Sequence, residues 1–459
     1  MAREPDDPAG TARSDVVPFG AAVRAWFAIS LQTFGGPAGQ IAVMQRELVE
    51  ERRWIGQHRF VHALGYCMLL PGPEAHQLAV YVGWLLNGLR GGLVAGVLFV
   101  LPGMIAMLAL SALYVGLGDT TAVASLFAGL GAAVVAIVAQ AVVRVGRKSL
   151  HHPLLIGLAV AAFLALAVFG IPFPVVIGAS AVLGWLAHRR IPALTSVDET
   201  GRASGGPPPL IPDGASACRA SSGRRTIRRL AIGLCVWTTP VLLVALATGG
   251  DGAYTTQGIF FAGTALVTFG GAYAVLAFVA QHAVQTYGWL TAGDMARGLA
   301  LAETTPGPLI MVVQFVAFLG AHADPGPLPP WVGAVVASLL VTWVTFVPSF
   351  LFIFLGAPYI ERLRRNRALA GALAGITAAV VGVIANLGVY FAVNTLFATV
   401  DRGPLALLVP DPATVRPIPL AIAAVAAILI FAARWPMLRT LAVCGALGLA
   451  AGLAGLPVG

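Results

Sequence analysis

The chain has 459 residues, 58% of them hydrophobic and 10% charged, with a net charge of +9 and a mean hydropathy of +0.87. Soluble domains carry about 25% charged residues, so a water-soluble globular fold is excluded and a multi-pass membrane protein is indicated. The basic excess does not read as a nucleic-acid surface, because the arginines sit in short tracts between apolar runs, the pattern of cytoplasmic loops.

In chain order, residues 1–16 read as a cytoplasmic tail without the parts of a secretory signal. Residues 17–187 form a first repeat. Its opening apolar segment holds Arg24, read as a residue snorkelling to the interface, and ends at Phe34-Gly35-Gly36-Pro37. A charged tract at 46–53, Trp54 and Pro71-Gly72-Pro73 follow, and then the runs 91–116 and 121–143, each long enough to cross a bilayer. Residues 188–229 carry eight arginines and a Gly-Gly-Pro-Pro-Pro stretch and read as a flexible, basic cytoplasmic linker. Residues 230–400 form a second repeat and 401–459 add C-terminal membrane helices. Trp26, Trp54, Trp289 and Trp331 read as an interfacial belt. The cysteines Cys67, Cys218, Cys235 and Cys444 lack metal-ligand spacing and read as packing residues.

The repeat is visible in the residues. Thr33-Phe34-Gly35-Gly36 recurs as Thr268-Phe269-Gly270-Gly271, Trp54 as Trp289 and Pro71-Gly72-Pro73 as Pro306-Gly307-Pro308, all 235 apart. Past an insertion at 322–330 the offset becomes 246, pairing Pro102 with Pro348 and Gln140 with Asn386. Equivalent loops carry opposite charge patterns: the basic tract 46–53 matches 281–288, which has no lysine or arginine, and the basic tract 361–367 matches 115–121, whose charge is Asp119. Basic loops stay in the cytoplasm, so the halves are expected to enter the membrane from opposite sides, the inverted repeat of many secondary transporters. Simple crossings would break that symmetry, so each half is expected to contain two hairpins of half-helices, with about six through-spans besides the C-terminal segments. The fold expected is an all-α integral membrane protein, an inverted-topology repeat of two homologous helical halves with broken or re-entrant helices.

The turning points are the candidate binding site. Helices starting at Pro37, Pro73, Gly271 and Pro308 would aim four N-termini, each carrying roughly +0.5 charge, at one centre. Candidate contacts in the first half are Gly35, Gly36, Pro37, Gln40, Pro71, Gly72, Pro73, His76 and Gln77, beside Gln32 and Thr33. In the second half they are Thr268, Gly270, Gly271, Thr304, Thr305, Pro306, Gly307, Pro308 and Gln314. This chemistry suits a tetrahedral oxyanion. Glu74 and Glu303 are embedded in otherwise uncharged membrane segments and are candidates for proton coupling. The alternative roles are capping of the following helix by Glu74 and pairing of Glu303 with a donor such as Arg297. His151, His152 and His282 lack a partner at ligand spacing, and neither a metal nor another cofactor is expected. Nucleotide-binding, zinc-protease and hydrolase motifs are lacking, and the chain is not expected to be an enzyme.

Phe34-Gly35-Gly36-Pro37 leading into Met44-Gln45-Arg46-Glu47-Leu48-Val49, and Pro71-Gly72-Pro73-Glu74 with Gln77-Leu78-Ala79, resemble the chromate ion transporter family. In the second half, Thr268-Phe269-Gly270-Gly271-Ala272-Tyr273-Ala274-Val275-Leu276 and Ala302-Glu303-Thr304-Thr305-Pro306-Gly307-Pro308-Leu309 resemble it more closely. The resemblance covers nearly the whole chain and is to the long, two-domain form. It implies a cytoplasmic-membrane protein that exports chromate, driven by protons, and confers chromate resistance; His76 stands where many relatives have Gln. The partners implied are chromate or a sulfate-like oxyanion, the lipid bilayer and protons, and a homodimer is compatible with the pattern. Transport of sulfate or another oxyanion is the nearest alternative. A membrane enzyme acting on a phosphate-bearing lipid and a non-transporting scaffold are more distant ones.

Overall fold

The structure is a computed structural model that describes residues 15–118, 120–187, 209–211, 223–250, 252–269, 272–356, 367–403 and 407–458. The tail 1–14, most of the linker 188–229, Asp119, Cys218, Asp251, Gly270, Gly271 and the basic tract 361–366 lie outside the described residues. In a bilayer each backbone polar group needs an internal partner, and the chain meets that demand almost entirely with helices. The first half runs through α1 (Phe19–Ser30), α2 (Gly36–Gln45), α3 (Gln57–Cys67), α4 (Glu74–Leu117), α5 (Thr121–Ser149), α6 (Pro153–Ala167) and α7 (Phe173–Ala187). After α8 (Gly223–Thr248) come α9 (Ala253–Val267), α10 (Ala272–Gln281), α11 (Ala292–Thr304), α12 (Val312–Ala323), α13 (Pro330–Gly356) and α14 (Arg367–Leu396). A two-stranded hairpin, β1 (Val400–Arg402) and β2 (Leu408–Pro410), precedes α15 (Pro417–Ala427) and α16 (Met437–Leu453).

Among the described residues five helices, α4, α5, α8, α13 and α14, are long and apolar enough to cross a membrane, and the other apolar helices run 10–17 residues. The duplication is written in the elements. α1, α2 and α3 recur as α9, α10 and α11, and the π-helical turn that ends α2 at Arg46–Glu51 recurs after α10 at His282–Thr286. α4 is broken at Asn87 and Gly88, so its two parts stand where α12 and α13 stand. α5 and α14 begin 246 apart, at Thr121 and Arg367. α15 and α16 begin 264 after α6 and α7, at Pro417 against Pro153 and Met437 against Phe173, so residues 401–459 hold a helix pair in the position of α6 and α7.

These pairs are exchanged between the halves: α6 and α7 pack on α14, while α15 and α16 pack on α5. Lipid tails are as apolar as leucine, so membrane helices hold together through close approach at small residues. A Cβ on Gly129 of α5 would stand 2.3 Å from Cys444 O, and one on Gly448 of α16 would stand 2.4 Å from Ser125 O. The copies of these positions, Gly375 and Gly184, meet in the same way, with Cβ positions 2.2 Å from Ser180 O and 2.3 Å from Gly371 O.

Among the described residues α8 has no counterpart, and prolines bind it in place. Pro240 and Pro348 lack an N–H and leave the carbonyls four residues earlier without their helical donor. Trp343 Nε1 of α13 donates to Val236 O at 3.0 Å, and Trp237 Nε1 of α8 donates to Val344 O at 2.9 Å. The linker is tied down at one point. Leu210 N and Ile211 N donate to Arg53 O and Trp54 O, each at 3.1 Å, and Gly56 N donates to Ile211 O at 3.3 Å. Residues 209–211 are thus docked on the first basic tract rather than flexible. The tryptophan belt needs correction too. Trp26 is buried in the first-half core and Trp54 is buried beneath Arg52, whereas Trp331 is exposed.

Candidate functional site

Four chain breaks meet in two pairs, each joining one half to the other. α1 stops at Ser30 and α2 restarts beyond Gly35 with Pro37 in its first turn, while α3 stops at Cys67 and α4 restarts after Pro73. Neither α2 nor α4 has a side-chain cap, so their first-turn N–H groups are left for another acceptor. In the second half α9 stops at Val267 and α10 restarts at Ala272, and α11 gives way at Thr305 to a short turn, Leu309–Met311, that leads into α12. Gly270 and Gly271 lie outside the described residues.

The breaks bind each other across the halves. Gly72 N donates to Thr268 O at 2.8 Å, and Gly307 N donates to Thr33 O at 2.9 Å. Thr33 and Thr268 are copies, as are Gly72 and Gly307, so this is one hydrogen bond made twice with the halves exchanged. A reciprocal contact of this kind requires a pseudo-two-fold axis through the centre. Gly72 and Gly307 have φ of +121° and +100°, a region that favours glycine.

The polar side chains break the symmetry. Gln40 Nε2 donates to Gly307 O at 2.6 Å, whereas its copy is Val275. Gln40→Leu should leave that buried carbonyl unpaired, lowering stability by about 1–3 kcal/mol; a melting curve of the purified protein, with uptake measured in parallel, checks it. Glu303 is buried near the end of α11, where its Oε1 accepts a hydrogen bond from Tyr273 of α10 and its Oε2 has no partner. A Cβ on Gly36 would stand 4.0 Å from that oxygen, so the second-half acid faces the first-half Gly-Gly-Pro turn. Arg144 of α5 acts electrostatically on both Glu303 and Tyr273, and Lys148, one turn further on, acts on Glu74.

The other expected contacts have the following partners in the structure. Arg297 is not the donor to Glu303: it pairs with Asp294 at 3.5 Å and donates to Tyr114 Oη at 2.9 Å. Glu74 opens α4 without capping it. The hydroxyls of Thr33, Thr268, Thr304 and Thr305 donate to carbonyls three or four residues back, which leaves their oxygens as acceptors. Gln77 Nε2 donates to Pro71 O at 2.7 Å, and Gln314 Nε2 donates to Met104 O at 3.1 Å. Gln32 is exposed and accepts from Arg46 at 2.7 Å. The His76 ring is buried between Phe346 and Phe350, with centroids 5.2 and 5.0 Å away. Arg24 is exposed, outside the centre.

The comparisons agree with this architecture. The sequence pattern named "Chromate transporter" matches residues 21–185 and 256–449, the two halves in turn. The chain belongs to the chromate transporter family. Among its relatives within the family, a chromate transport protein of Pseudomonas aeruginosa is 34% identical over 360 residues, covering 77% of this chain and 76% of the relative. One from Cupriavidus metallidurans is 29% identical over 352 residues, covering 76% and 77%. An uncharacterized transporter of Methanocaldococcus jannaschii is 24% identical over 369 residues, covering 79% and 82%. No solved structure matches the chain.

Sequence reasoning about this family member missed Tyr273 and Arg144. Tyr273 could have been found by laying the halves together: at the same offset of 235, Tyr273 matches Ala38 and Glu303 matches Met68, so both groups stand in one copy and not in the other.

Proposed function

We propose that this multi-pass membrane protein carries chromate, or a related tetrahedral oxyanion such as sulfate, outward across the cytoplasmic membrane in exchange for protons, and so confers chromate resistance. The observation that carries the reading is the reciprocal pair of bonds from Gly72 N to Thr268 O and from Gly307 N to Thr33 O, which ties each break of one half to a break of the other. Helix starts without caps supply a positive end and free N–H groups there, suited to an anion without a fixed cation that would hold it too tightly.

An inverted arrangement of the halves belongs to the proposal. It is supported by the opposite charges of equivalent loops and by α8, an unmatched crossing that turns the second half over. Docking of residues 209–211 on Arg53, Trp54 and Gly56 supports one face for the linker and the first basic tract. Glu303 is the proton carrier in this reading, because a buried carboxyl at mid-membrane with one unpartnered oxygen is a functional group by default. Glu74, in the first turn of α4, is the second candidate.

Inside-out vesicles containing the protein should accumulate labelled chromate and sulfate when a proton gradient is imposed, each anion competing with the other. Accumulation of neither would sink the reading.

A further inference from the structure

The two crossing loops share a backbone and differ in what faces them. A Cβ on Gly307 would meet Phe99 O and Gly103 of α4, whereas one on Gly72 would meet Ser349 Oγ of α13 at 3.0 Å and Gln77 Nε2 at 2.8 Å. Positions 99 and 103 are the copies of 345 and 349, at the offset of 246. Where the second loop meets the Phe99 carbonyl and Gly103, the first meets Ser349, and Thr345, the copy of Phe99, precedes Ser349 by one turn. These two lie one turn apart on one face of α13. They are 3% and 1% exposed, and neither hydroxyl has a hydrogen-bond partner. Helical serine and threonine usually donate to a carbonyl one turn back, as Thr342 does to Ser338 O at 2.7 Å on the same helix. Buried hydroxyls that forgo that bond are uncommon and call for a partner. Gln77 Oε1, in the first turn of α4, lacks a partner as well. The absent side chain of Gly72 thus leaves a small polar cradle bounded by the uncapped start of α4 and by α13.

We propose that Thr345 and Ser349 are direct ligands of the transported oxyanion at the Pro71-Gly72-Pro73 loop, so that its subsite is shared by α4 of one half and α13 of the other. This rests on the transport reading above. Duplication has then been followed by a division of labour: the first crossing loop gained hydroxyl donors for the anion, and the surroundings of the second gained Glu303 and Tyr273 for the proton. Neutral hydroxyl and backbone donors hold the several acceptor oxygens of a tetrahedral anion and still let it leave. Glu74, the carboxyl in the same turn, has Lys148 as the cation acting on it.

The test measures KM and kcat for chromate and sulfate uptake in vesicles carrying Ser349→Ala, Ser349→Gly, Thr345→Val or Thr345→Ser, with Thr342→Val as a control. Ser349→Gly copies the residue that the other half carries at Gly103, so a folded protein is expected. Losing one hydrogen bond to a charged ligand should raise KM about tenfold or more in Ser349→Ala, Ser349→Gly and Thr345→Val while kcat falls far less. Thr345→Ser keeps the hydroxyl and should stay near the wild type, as should Thr342→Val. Sulfate should raise the melting temperature of the purified wild type and not that of Ser349→Ala. Wild-type KM in Ser349→Ala and Thr345→Val, or a loss confined to kcat, overturns the assignment. A wild-type protein that accumulates neither anion removes the transport reading and this inference with it.

Discussion

Glu303→Gln is expected to uncouple transport from the proton gradient. Glutamine keeps the size of the side chain and an oxygen that can accept from Tyr273, but it can neither take up nor release a proton. Gradient-driven accumulation of chromate in inside-out vesicles should fall at least about tenfold, the loss expected when one required ionisable group is removed from a buried site. Exchange of labelled for unlabelled chromate at equal pH on both sides should survive, because that half-reaction needs no net proton movement. Its rate should also lose most of its dependence on pH. Glu74→Gln is expected to have the smaller effect, since Glu74 is partly exposed whereas Glu303 is buried. Gradient stimulation of wild-type size in Glu303→Gln would remove Glu303 from the coupling role and leave Glu74 as the remaining candidate.

Gly103→Ala is expected to damage both the stability of the protein and its transport. A Cβ at Gly103 would stand 2.4 Å from Pro306 O, and that contact is with backbone, so no side chain can swing aside. Either α4 or the Pro306-Gly307-Pro308 loop must shift, which strains the bonds from Gly307 N to Thr33 O and from Gln40 Nε2 to Gly307 O together. Overpacking of this kind costs about 1–3 kcal/mol. A lowered melting temperature in detergent is expected, with transport reduced more than tenfold, since a misplacement of about 1 Å at a site can cost 10²-fold. Gly131→Ala is the matched control: its nearest neighbour would be Arg297 Cγ at 3.6 Å, an ordinary contact, and it should behave like the wild type. Equal melting temperatures for the two variants would show that the loop is not wedged against α4.

Much of this was legible in the residues. Gly-Gly-Pro and Pro-Gly-Pro mark helix breaks through chain geometry alone, because glycine admits positive φ and proline both ends one helix and starts the next. Their recurrence at one offset disclosed the two halves. Two features were not legible. The helix pair beyond residue 400 is hard to recognise as a copy of α6 and α7, because the two pairs share little beyond their opening prolines and small residues, and small-residue packing tolerates wide substitution. Arg297 was offered as a partner for Glu303 because it lies six positions away on the same segment, whereas the partner is Tyr273, 30 positions away on another helix.

The sequence by itself determined that the chain lives in a bilayer, that it is a duplication, where its helices break and which acids lie within the apolar segments. These follow from local properties: hydropathy, backbone freedom and the cost of a charge in hydrocarbon. Only the tertiary structure decided that each half's second break binds the other half's first, that the helix pairs α6–α7 and α15–α16 change places, and that Ser349 faces one crossing loop while Gly103 faces the other. Those facts depend on how two copies of one pattern pack about an axis, and apolar helices of similar composition carry little information about which face meets which. Close approach at glycine and a few hydrogen bonds settle that choice, and both come into being only when distant segments meet.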